Sequence, residues 1–114
     1  MEYFIHVSER KGTIYHEFYK GKWDGKTFWK SDSILLSDDI LNDAIGFVDA
    51  ILEVIPCYDP FGETEITLDE WNKIGEIVVT KNMVSQEIYN ELNEWLTDVF
   101  KNYKCFTILG IWLA

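Results

Sequence analysis

The chain has 114 residues, with 20 Asp and Glu against 10 Lys and Arg and a formal net charge of -10. That length fits one compact unit, at about 100 to 200 residues per domain, and 47 % hydrophobic with 16 % aromatic residues excludes the composition of a disordered chain. The acidic balance argues against direct binding of nucleic acid or of an anionic membrane, because both need cationic patches.

Residues 3–7 and 13–23 are rich in aromatic and β-branched side chains and are separated by Gly12, which predicts two strands. Asp24-Gly25 is a favoured pair for a two-residue hairpin and predicts a third strand over 26–31. Gly21, inside the second strand pattern, marks a candidate bulge. From Asp38 the apolar period lengthens from two to about 3.6. Ile40, Leu41, Ala44, Ile45, Val48, Ile51, Leu52 and Ile55 share one broad face, Ser37 or Asp38 can cap the start, and Pro56 ends the run, so one helix is expected over 38–55. Residues 57–65, with Pro60 and Gly62, read as a loop. Thr67-Leu68-Asp69-Glu70 fits a capping box opening a short helix over 68–79, with Leu68, Trp71, Ile74 and Val78 inward. A third helix is predicted over 85–102, where Ile88, Leu92, Trp95, Leu96, Val99 and Phe100 form the apolar face, and 105–113 returns to strand composition.

Strands, then helices, then a closing strand predict an α+β fold. The expectation is a monomeric single domain over 1–114. Its antiparallel sheet has about four strands, a three-stranded N-terminal meander plus a C-terminal strand, with three helices packed on one face. The longest uninterrupted apolar run, residues 108–114, falls far short of the about twenty residues that span a bilayer. Met1-Glu2-Tyr3 lacks the basic region and apolar segment of a secretory signal, so a cytoplasmic protein without membrane contact is expected. Cys57 and Cys105 have no C-x-x-C spacing and are expected as small buried hydrophobes.

Residue types that carry chemistry are sparse. His6 and His16 are the two histidines; as a zinc pair they would need two further ligands, so structural roles are expected. Ser8 and Ser33 lack the Gly-x-Ser-x-Gly turn, and there is no Gly-rich phosphate loop. Asp59, Glu63, Glu65, Asp69 and Glu70 crowd into twelve residues without the spacing of a calcium loop, and Asp69 and Glu70 suit the first turn of a helix. No cofactor, metal or enzymatic activity is expected; a small hydrolase using the carboxylates of that loop is the alternative.

The distribution of charge is the functional lead. Residues 1–31 hold six bases and four acids, whereas residues 32–104 hold sixteen acids and four bases. On the first predicted helix Asp39, Asp43, Asp49 and Glu53 mark the outer side, and on the third Glu87, Glu91, Glu94 and Asp98 stand at i, i+4, i+7 and i+11. Helices selected for stability alone alternate signs, since an i,i+4 Glu to Lys pair gains about 0.2 to 0.5 kcal/mol and a like pair loses as much. Unbroken acidic stripes point instead to electrostatic docking of a basic partner. Trp23, Trp29, Tyr58, Phe61 and Tyr89 lie beside turns, in loops or off the main apolar faces, and Tyr58 and Phe61 are candidate anchors within such an interface.

In size, acidity, aromatic content, α+β order and missing catalytic motifs the chain resembles the immunity proteins of bacterial polymorphic and contact-dependent toxin systems. Stretches such as Gly21-Lys22-Trp23-Asp24-Gly25 and Thr64-Glu65-Ile66-Thr67-Leu68-Asp69-Glu70-Trp71 carry the likeness. The resemblance implies a cognate protein toxin domain as partner, often a basic nuclease, blocked at its active site or substrate groove. A nucleic-acid mimic that inhibits a DNA-binding enzyme would use the same charge and is the runner-up.

Overall fold

Tyr15–Lys20 alternates two environments along its length, and that alternation organises the molecule. In the computed structural model, which describes residues 1–110, this segment is the central strand of a five-stranded antiparallel sheet. The strands are β1 (Ile5–His6), β2 (Tyr15–Lys20), β3 (Ile34–Ser37), β4 (Glu63–Thr67) and β5 (Cys105–Leu109), in the order β1-β3-β2-β5-β4. Among the described residues four α-helices complete the α+β fold: α1 (Asp38–Asp43), α2 (Ile45–Val54), α3 (Leu68–Val78) and α4 (Met83–Asn102).

Phe18, Ile34, Leu36, Ile66, Phe106 and Ile108 point from the sheet into a core completed by helix residues such as Phe47, Ile51, Trp71, Ile74, Ile88, Leu92 and Leu96. Trp71 is its pivot. The indole stacks on Tyr89 at 4.2 Å, meets Phe47 and Phe106 edge-on, and donates Nε1–H to Asn93 Oδ1 at 2.8 Å, which satisfies its polar atom without breaking the apolar packing. The second face of the sheet is also covered. Glu17, Tyr19, Leu35, Thr107 and Leu109 are buried there, and residues 21–33 are tied across it. Trp29 and Lys30 donate their main-chain N–H groups to the two oxygens of Glu17 (2.7 and 3.0 Å), and Lys30 Nζ lies 5.0 Å from the Tyr19 ring.

Several expectations are corrected. Residues 26–31 are not a strand. Asp24-Gly25 does turn the chain, with Gly25 at φ 84, but the Asp24 carboxylate closes the turn itself by accepting from Lys26 N, Thr27 N and the Thr27 hydroxyl. Those bonds, that of the Thr27 hydroxyl first, hold its pKa down at about 2. The strand comes later, at Ile34-Leu35-Leu36, whose unbroken apolar run suits burial on both faces. The supposed loop 57–65 ends in β4, where Glu63–Thr67 alternates exposed and buried residues.

The helix expected over 38–55 is two helices. Ala44 sits outside the helical region at φ -104, ψ 47, and beyond it Gly46 rests against α4, where a Cβ would stand 2.8 Å from Ser85 Oγ. That oxygen also accepts Phe47 N–H at 3.1 Å. The reorientation leaves Ile45 and Leu52 exposed, although one continuous helix would place them inward. Leu68 is exposed rather than inward, and Cys57 is exposed with Cys105 half-buried, because Cys57 follows Pro56 in a surface turn. The predicted capping box of α3 is present, Thr67 and Glu70 each accepting the other's main-chain N–H. α4 starts two residues earlier than predicted, capped by Asn82, and residues 111–113 of the expected last strand lie outside the described residues.

Candidate functional site

Ser37 accepts Ile40 N–H and opens α1, which sets Asp39 and Asp43 on exposed surface; Asp49 and Glu53 are exposed on α2. The break at Ala44 divides these four acids into two pairs rather than one stripe. Asp39 also lines an open cleft of about 450 Å³ with Lys11, Ile14, Tyr15 and Ser37.

The four acids of α4 divide more sharply. Glu94 and Asp98 are exposed, and Asp98 meets Lys101 at 3.2 Å on open surface, a pairing worth little in water. Glu91 is half-buried and holds the N-terminal segment: Oε2 accepts Tyr3 N–H and Phe4 N–H (3.0 and 2.7 Å), and Oε1 accepts Glu2 N–H (2.6 Å). Glu87 accepts the Tyr3 hydroxyl at 2.8 Å, and that bond pushes the phenol up to about 12. Two members of the predicted stripe are therefore occupied inside the molecule.

The aromatic residues divide as well. Tyr58 is 6 % exposed and belongs to the core, its phenol pushed up to about 12 chiefly by burial, whereas Phe61 is 60 % exposed beside β4. Tyr89 stacks on Trp71, Trp23 packs on Phe28 at 5.3 Å, and Arg10 lies 4.4 Å above Trp29. Trp29 adopts φ 57, a left-handed backbone costly for a bulky residue, where its N–H reaches buried Glu17.

His16 is 1 % exposed, and its Nε2 lies 2.9 Å from Asp38 Oδ1, while the other Asp38 oxygen accepts from Asn42 Nδ2. Burial lowers the His16 pKa despite that carboxylate, so the ring is neutral and donates Nε2–H, tying β2 to the start of α1. His6 is exposed. In the 59–70 segment Asp59 accepts Phe61 N–H and Glu70 closes the α3 cap, and among the described residues no group of three or more His, Cys, Asp or Glu side chains is placed to hold a metal ion. Nor is any helix among them long and apolar enough to cross a membrane.

Sequence reasoning missed Glu17, and it assigned Glu63 and Glu65 to a loop where the chain forms a strand. The alternation Glu-Thr-Glu-Ile-Thr over 63–67 is a strand signal, obscured by neighbouring Pro60 and Gly62. Comparison of the chain with family models, curated proteins and solved structures found no match.

Proposed function

We propose that this chain is a binding protein that neutralises a cognate cationic toxin domain of nuclease type, acting as an immunity protein in the cytoplasm and without enzymatic activity of its own. One observation carries the reading. Of the eight helical acids singled out in the sequence, Asp39, Asp43, Asp49, Glu53, Glu94 and Asp98 remain exposed, and of these six only Asp98 has an ion-pair partner among the described residues.

A nuclease must hold polyphosphate, so its groove is cationic, and an acidic protein is drawn into the same field. The carboxylates of the 59–70 segment that are bonded serve a turn and a helix cap, which favours binding over hydrolysis.

The reading predicts a toxin domain encoded beside this chain, and the test is co-purification with that fragment, followed by affinity measurement across a salt series. Charge reversal of Asp39, Asp43, Asp49 and Glu53, and separately of Glu94 and Asp98, is expected to slow association and flatten the salt dependence. Glu87 and Glu91 are left intact because their loss would free the N-terminal segment. Unchanged association in both variants would reject the acidic helices as the docking surface. Inhibition of an unrelated DNA-binding enzyme with no response to the neighbouring toxin would favour a nucleic-acid mimic.

A further inference from the structure

The sheet ends in two edge strands, and the chain closes them differently. Asp38 N–H donates to Ile14 O, so 14, 16 and 18 exchange hydrogen bonds with 38, 36 and 34, and Leu35 faces β1. Leu35 pairs with Ile5, which turns the main-chain groups of Phe4 and His6 outward. Both N–H groups are taken, Phe4 by Glu91 at 2.7 Å and His6 by Glu9 at 2.9 Å.

At the other end Gly110 N–H donates to Gly62 O at 2.7 Å, and with Glu63 opposite Leu109 this assigns 62, 64 and 66 to exchange with 110, 108 and 106. The far side of β5 agrees, since Gly21 N–H donates to Cys105 O and so gives 105, 107 and 109 to β2. The main-chain N–H and C=O of Glu63 and Glu65 therefore point away from the sheet. Thr67 N–H is closed by Glu70, but among the described residues no hydrogen bond engages those of Glu63 or Glu65. Exposed apolar side chains stand at both ends of this open edge, Phe61 before it at 60 % and Leu68 after it at 45 %.

We propose that the β4 edge receives an extended, lysine- or arginine-bearing segment of a partner protein, which adds to the sheet as a further strand. Free main-chain donors and acceptors supply the pairing, Glu63 and Glu65 face the cations, and Phe61 and Leu68 offer apolar contacts at the ends. A second copy of this chain is disfavoured as occupant, because edge-to-edge pairing would set Glu63 and Glu65 against the same residues. Carboxylates also serve simply to bar edges from pairing, and the experiment separates a barred edge from a receiving one. The inference deepens the reading of the chain as a binder of a cationic protein and rests on it.

The probe is a synthetic decapeptide alternating Lys with Thr and Val, compared with the same peptide N-methylated at every second amide, each titrated into the full chain. Amide NMR shifts and hydrogen exchange at Glu63 and Glu65 are followed. The unmodified peptide is expected to slow exchange of both amides at least tenfold, and the methylated peptide, equal in charge, to give no protection. Charge reversal of Glu63 and Glu65 to Lys is expected to weaken peptide binding at least tenfold.

Absence of protection, equal binding of both peptides, or shifts confined to the helical acids would overturn the proposal. So would protection that appears without peptide as the chain is concentrated, since a second copy would then occupy the edge. If the charge-reversed chain does not fold, the two peptides on the unaltered chain decide the matter. A folded E63K/E65K chain that still binds and neutralises the neighbouring toxin would remove this inference and leave the broader reading standing; failure of the unaltered chain to bind that toxin would remove the broader reading.

Discussion

His16 shows how one side chain couples the fold to pH. Its Nε2 is paired with Asp38, but Nδ1 is buried with no hydrogen-bond partner, so protonation would place a second donor in the core with nothing to accept from it. Because burial lowers the folded-state pKa below the ordinary 6.5, the unfolded chain takes the proton first. The contribution to stability is full above that ordinary value and is lost as pH falls through the folded one. His16→Gln is therefore expected to reduce the drop in urea midpoint between pH 7.5 and 5.0; equal drops in both proteins would refute the assignment. Gly110 makes a second residue-scale case. A Cβ there would collide with the Pro60 carbonyl group, and because the obstructing atoms are main chain they have little room to yield, so Gly110→Ala should cost about 1–3 kcal/mol in denaturant unfolding.

Elements are held by carboxylates as much as by apolar packing. Glu91 on α4 fixes the N-terminal segment through the N–H groups of Glu2, Tyr3 and Phe4. Hydrogen bonds to charged groups contribute about 1.5–3 kcal/mol, and Glu91→Ala is expected to cost about 2 kcal/mol and to speed amide exchange at Phe4 while leaving α3 protected. Glu17 does the corresponding work for residues 21–33. Removing its carboxylate would release the strained backbone of Trp29, and Glu17→Gln should raise exchange at the Trp29 and Lys30 amides with circular dichroism of the helices unchanged. The cap of α3 is simpler: Thr67→Ala breaks one half of a reciprocal pair and should lower stability by about 1 kcal/mol.

Across the whole molecule the net charge of -10 makes the compact state self-repelling. Salt shortens the reach of that repulsion to about 10 Å at 0.1 M, so the melting temperature is expected to rise between 10 and 150 mM NaCl. The same salt should weaken capture of a cationic partner. Opposite responses of stability and affinity over one salt range would tie both to the acidic surface, and a melting temperature indifferent to salt would show that the repulsion is already balanced within the fold.

Local patterns were sufficient for the cap at Thr67, a helix start at Ser37 or Asp38, the apolar faces of α4 and, Leu68 apart, of α3, the α+β order and the acidic excess of residues 32–104, because propensity, periodicity and charge are properties of neighbours in sequence. Long-range contact decided the rest. Ile34-Leu35-Leu36 is a strand through partners on both sides; Ala44 interrupts a periodic apolar run where α2 meets Ser85 on α4; β4 exists because β5, some forty residues later, pairs with it. The candidate surface divides along the same line. All eight helical acids look alike in sequence, yet Glu87 and Glu91 are taken up by an N-terminal segment more than eighty residues away, and Tyr58 enters the core while Phe61, three residues on, stays outside. Sequence determines where charge and apolar surface occur; only the packed chain determines which of them remain available to a partner, because each hydrogen bond or contact made within the fold is withdrawn from the surface.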